Sequence, residues 1–223
     1  MNELSHMGIA ELDQQNHLLI LRAHIILYGD AASLELAQLV SAEIETYWTE
    51  PRATVLIKGI IYTVVFKING SFAEHLTPEE IFENDDPMLN YFRVEEYSSI
   101  DISFVDGLGS NTGYFKLLNL ANNSTTAAHE FGHTIGLEHP HDLDLRGKGA
   151  PGIMYPRGTL VDPPYQYDPS AIAGAVGGTM NPAHRKVLQK DIDDLRLHKL
   201  SFDKNNKAIV GDFSSVWHHK HQQ

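Results

Sequence analysis

His129-Glu130-Phe131-Gly132-His133-Thr134-Ile135-Gly136-Leu137-Glu138-His139 (HEFGHTIGLEH) is the stretch from which the rest of the chain can be read. Two histidines at i and i+4 share one helix face about 6 Å apart, so both imidazoles can reach a single metal ion at ~2.0–2.1 Å. Glu130 stands about 100° around the helix from His129, beside such an ion rather than on it, within reach of a bound water. Gly136 tolerates a positive φ, so the helix can end there and the chain can turn back to bring in His139 as a third ligand. Three protein ligands with an open fourth position form the donor set of a catalytic zinc. Structural zinc sites close all four positions, often with cysteine, and this chain has no cysteine.

Working outward, the helix is predicted over about Thr125 to Leu137, capped by Asn123, Ser124 or Thr125. On the N-terminal side, residues 17 to 28 (HLLILRAHIILY) read as a buried strand ending at Gly29-Asp30. Ala37, Val40, Ile44 and Tyr47 recur at helical spacing before Pro51. ATVLIKGIIYTVVFKING, punctuated by Gly59 and Asn69-Gly70, reads as two strands joined by a tight turn. Residues 71 to 98, with Pro78, Pro87 and five acids over 79 to 86, are expected to form a surface connection with one short helical piece. IDISFVDG (100 to 107) alternates as a half-buried strand, and Tyr114 to Leu118 reads as another.

Beyond the histidines, Pro140 to Gly178 is rich in Gly and Pro and reads as loop. Asn181-Pro182 supplies a cap and first-turn proline for a helix carrying Leu188, Ile192 and Leu195, and the last 20 residues are expected to form a hairpin around Asn205-Asn206. The expected architecture is α+β: a twisted mixed sheet with an active-site helix, and a smaller irregular C-terminal part ending in a helix. It forms one domain over 1–223, with subdomains 1–139 and 140–223.

Bulk properties narrow the partners. A net charge of −12 disfavours a phosphate backbone, so nucleic acid is not the expected substrate. The longest apolar run, Leu18 to Tyr28, is interrupted by Arg22 and His24 and falls short of the ~18–20 residues of a membrane helix. MNELSHMGIAELDQQNH lacks the basic start and apolar region of a secretory signal. Monomer is the default expectation for the oligomeric state.

HExxHxxGxxH followed by Gly152-Ile153-Met154-Tyr155-Pro156 resembles the zinc signature and methionine turn of the metzincin metallopeptidases. The MYP form is similar to the matrixins, Pro140 to the serralysins, and the 14 residues between His139 and Met154 exceed the usual matrixin spacing. The order of elements also resembles metallopeptidase-like toxin domains of bacterial RHS-repeat proteins.

The metzincin resemblance implies a zinc-dependent endopeptidase. His129, His133 and His139 would be the ligands, Glu130 the general base, Gly136 the chain reversal and Met154 the apolar floor under the metal. It implies IDISFVDG as an inner strand and 114–118 (Tyr114, Phe115, Lys116) as the edge that pairs with an extended peptide substrate. Tyr165 and Tyr167 would stand in the substrate-pocket wall, and export would be favoured. Tyr155 follows Met154 one residue too early for the metal-ligating tyrosine of some members. Asp142 and Asp144 could bind Ca²⁺ as in others. The competing readings are a catalytically silent zinc-dependent peptide-binding module and a peptidase delivered as a toxin. His218, His219 and His221 read as a polar tail.

Overall fold

The alternation of Leu19, Leu21, Ala23, Ile25 and Leu27, all buried, against half-exposed neighbours makes β2 (Leu18–Tyr28) the organising strand. The computed structural model describes residues 8–121, 124–211, 214 and 216–222. β2 is long enough to carry three partners. β4 (Ile60–Phe72) runs parallel along one edge; the other edge is shared by antiparallel β1 (Gly8–Asp13) and, further along, parallel β5 (Leu89–Glu95). β3 (Thr54–Ile57) folds back on β4 through Lys58 and Gly59, both at positive φ, as a twist-matched two-residue hairpin requires. β7 (Thr112–Lys116) continues parallel to β5, and β6 (Phe104–Val105) closes the far edge antiparallel to β7. β8 (Lys207–Val210) pairs with β1, so the mixed sheet carries a short antiparallel branch.

The inner face is covered by α1 (Leu34–Thr49), started by Ser33, whose hydroxyl accepts the Leu36 N–H, and burying Ala37, Val40, Ile44 and Trp48. Trp48, Phe66 of β4 and Phe131 interlock with ring centroids 5.3 to 6.2 Å apart. The Trp48 indole donates to the Ala128 carbonyl at 3.0 Å, tying α1 to the histidine-bearing helix α4 (Thr126–Thr134). Short helices α2 (Pro78–Phe82), α3 (Leu117–Leu120) and α5 (Gln189–Asp194) fill connections.

Several expectations are corrected. Asn69-Gly70 is not a turn but lies inside β4, where a Cβ on Gly70 would stand 2.2 Å from the Ala37 carbonyl oxygen of α1. Gly70→Ala should therefore push α1 off the sheet. The expected loss is about 2–3 kcal/mol, read as a denaturation midpoint shift, because an overpacked interface cannot relax around backbone.

Residues 71 to 98 hold not only the expected helix but the central strand β5, whose Asn90, Tyr91, Phe92, Val94 and Glu95 are all buried. Burial on both faces erases the alternation that marks a strand in sequence. IDISFVDG contributes only two strand residues, and they form the edge, whereas β7 lies inside; Asp101 in left-handed backbone interrupts the run.

The segment 140–223 does not end in its helix. Asn181 caps a single 3-10 turn (Pro182–His184), an extended stretch follows, and α5 precedes β8. The Asn205-Asn206 turn leads into β8, which pairs with β1 rather than with a neighbour in the tail. Val187, Ile192, Leu197, Ala208 and Val210 join the same core as β2. No helix among the described residues is long and apolar enough to cross a membrane.

Candidate metal centre

Helix α4 is anchored by close packing. Gly132 faces Met154 so closely that a Cβ there would stand 2.2 Å from the methionine sulfur, with Trp48 packed at 3.2 Å on the same spot. Met154 is itself buried, so a thioether fills the space between α4 and the chain beyond it. The expected caps behave differently: Thr125 is in left-handed backbone and sends its hydroxyl to the Pro182 carbonyl, while the Ser124 hydroxyl accepts the Thr126 N–H at 3.3 Å. Asn123 lies outside the described residues. At the other end Gly136 has φ +100°, and the chain reverses there as its residue type predicts.

That reversal brings three imidazoles together. His129 Nε2 and His139 Nε2 are 3.0 Å apart, His133 Nε2 and His139 Nε2 3.1 Å, and the three can converge on one metal ion. The opposite ring nitrogens are committed: His129 Nδ1 lies 2.7 Å from the Ile153 carbonyl and His133 Nδ1 2.7 Å from the Leu137 carbonyl. A carbonyl accepts only, so both Nδ1 atoms carry the proton and both Nε2 atoms present lone pairs. His139 has at most one Nε2 proton to place between them. Lone pairs crowded in this way are repulsive unless a cation lies among them, and nitrogens on a tetrahedral zinc would be about 3.3–3.4 Å apart. The three histidines could hold a metal ion, and the Ile153 and Leu137 carbonyls orient two of them.

Their protonation agrees. Burial, then the charges of Arg185 and His133, holds His129 well below the ordinary histidine range. Burial lowers His133. Burial with the neighbouring His133 and Arg185 charges brings His139 down to about 4. The cluster is therefore neutral at pH 7, as metal ligation requires.

Glu130 lies beside the cluster, 6% exposed, and burial pushes its carboxyl up to about 8 against the opposing charge of Arg185. Both line a cleft of about 550 Å³, together with the three histidines, Pro156, Arg157 and the rim residues Ser103, Phe104 and Val105. Gly109, in the loop after β6, donates its N–H to the His133 carbonyl at 2.8 Å and fixes the rim to the end of α4.

The other candidate residues are distributed differently. Tyr114 and Phe115 are buried in the sheet: Tyr114 donates its hydroxyl to the Tyr97 carbonyl at 2.8 Å, and Phe115 stacks on Phe92 at 4.5 Å. Lys116 is paired with Asp101. None of the three lines the cleft, because β6 stands outside β7. Tyr155 and Tyr165 pack against a small separate core of Leu145, Val161 and Met180 that organises the long loop. Tyr167 is half exposed and close enough to Arg185 to influence its charge. Asp142 and Asp144 are engaged by Lys148 and Arg146 at 2.6 and 2.5 Å.

The histidine tail is not free. Trp217 stacks on Tyr28 at 5.1 Å, His218 bonds Asp106 at 2.8 Å and His221 lies over Tyr114 at 4.0 Å.

Two contributors escaped the sequence. Buried Asp191 of α5 accepts the Leu188 N–H at 2.7 Å and lies against Gly152, backing the methionine turn. Arg185 enters the cleft from beyond the 3-10 turn. Neither belongs to a local pattern.

The fold and site thus define an α+β protein whose mixed sheet supports a helix bearing part of a three-histidine, metal-competent cluster. No protein-family model matches the chain, and no curated protein matches it.

Proposed function

We propose that the chain is a zinc-dependent endopeptidase of metzincin-like fold, and that His129, His133 and His139 hold the ion. The observation that carries this reading is the convergence of three Nε2 atoms beside a buried, cleft-lining carboxyl, Glu130. Zinc held there would supply a Lewis acid and an acidified water.

Glu130, buried at the cleft wall, would serve as the base that accepts the proton of an attacking water and passes it to the leaving amine. A dication at the three nitrogens would pull its carboxyl down from about 8 toward a value suited to a base at neutral pH. Met154, packed against Gly132, keeps α4 from shifting. β6, the edge strand at the cleft rim, is the strand to which an extended peptide would add, in place of segment 114–118.

The experiment is cleavage of an unstructured protein substrate by the full chain, first freed of metal and then reconstituted with zinc. Cleavage should appear at about one equivalent and vanish with a chelator. A zinc-loaded chain that leaves a broad peptide library intact overturns the reading.

A further inference from the structure

Arg185 is only 5% exposed, yet its Nε has no hydrogen-bond partner. Among the described residues no carboxylate forms an ion pair with it, although it lines the cleft with Glu130. A buried guanidinium left in this state costs several kcal/mol of solvation unless something later meets it.

Its position is also built. The Arg185 N–H bonds the Pro182 carbonyl at 3.0 Å, and that carbonyl accepts the Thr125 hydroxyl at 2.8 Å at the start of α4. The next residue, Lys186, donates its N–H to the Pro151 carbonyl at 2.9 Å, beside the Met154 turn. Arg185 is therefore clamped between the two segments that form the metal centre.

Arg157 lies at the mouth of the same cleft, near enough that its charge acts on Arg185. Arg157 and Arg185 share the cleft with Glu130 and Glu138, so a metal dication, when one is held, leaves the cleft cationic inside a molecule of net charge −12. A planar guanidinium with free N–H groups matches a carboxylate in a two-pronged geometry.

We propose that Arg185, assisted by Arg157, forms an anion subsite that takes the side-chain carboxylate of an acidic substrate residue adjoining the scissile bond. This inference rests on the peptidase reading and names its substrate class. Arg185 binds and positions; it takes no part in proton transfer. The carboxylate displaces water from the guanidinium, and the amide isostere, lacking charge, leaves the cation short of a partner.

The test uses the zinc-loaded full chain and peptides that carry Glu, Gln or Lys at either residue flanking the cleaved bond. On one side of the bond, Glu should exceed Gln by about 10- to 100-fold in kcat/KM, the range of a charge-assisted hydrogen bond, with Lys poorest. Arg185→Met should bring the Glu/Gln ratio close to one, Arg185→Lys should keep part of it, and Arg157→Ser should reduce it a few-fold. If Arg185→Met fails to fold, the ratio in the wild type and in Arg157→Glu decides.

A wild-type ratio of one with brisk cleavage overturns the subsite and leaves the peptidase intact. If no peptide is cleaved, the peptidase reading fails and the subsite is judged by calorimetric binding of the Glu and Gln peptides to zinc-loaded Glu130→Gln protein. Tighter binding of the Glu peptide supports it. Equal or undetectable binding overturns it.

Discussion

Glu130→Gln will bind zinc at full stoichiometry and lose peptidase activity by about a thousandfold or more, the weight of a positioned general base. The amide keeps the volume and hydrogen-bonding reach of the buried carboxyl, so α4, Met154 and the histidines should stay in place. What it cannot do is accept a proton. Metal content by atomic spectroscopy and kcat/KM on a cleaved peptide separate the two effects. A variant that still cleaves at the wild-type rate would remove Glu130 from the mechanism, and one that loses zinc as well would make it a structural residue.

His139→Ala will abolish stoichiometric metal binding and, with it, the stabilisation that the ion confers. A ligand present at a thousandfold over its Kd adds about 4 kcal/mol to a protein that binds it only when folded. For a chain of this size that corresponds to a rise in Tm of roughly 10 °C. The wild type should show that rise on adding zinc, and the variant should not. His139 is the informative ligand because it lies outside α4, with its ring turned toward the other two histidines rather than into the core, so its loss leaves the core untouched.

The pH dependence follows from the same cluster. All three histidines have folded-state pKa values below the ordinary one, His139 at about 4. Below about pH 6.5 the unfolded chain takes up protons that the folded cluster refuses, so this contribution to metal-free stability falls as pH drops from about 6.5 toward 4. Metal need displace no proton from the imidazoles near neutrality, but it releases the one on Glu130, whose metal-free pKa of about 8 the dication lowers. Zinc affinity should therefore weaken by up to about tenfold per pH unit as the pH falls below 8, and Glu130→Gln should flatten that slope. A slope unchanged in Glu130→Gln, measured by competition with a metal indicator, would place the titrating group elsewhere.

The histidine cluster was legible because its information is local. Helical spacing puts His129 and His133 on one face whatever surrounds them, and Gly136 marks the reversal by the one property that distinguishes its backbone. β2, α1 and the β3–β4 hairpin were legible for the same reason: each repeats its apolar residues at the period of its own element. β5 was hidden because a strand buried on both faces has no polar side to alternate with. The roles of β6 and β7 were exchanged because alternation tells which residues face inward, not which strand lies outermost.

The chain order of residues is thus enough to assemble a donor set for a metal, since its three nitrogens come from eleven consecutive positions. The walls of the cleft required the fold. Arg185 stands 55 positions after Glu130 in sequence, and the turn that carries it meets α4 through Thr125 and the methionine turn through Pro151. Asp191 reaches Gly152, and β8 returns to β1, only when the sheet has closed its core. Such contacts depend on burial shared between distant segments, which a local period of 2 or 3.6 residues does not encode.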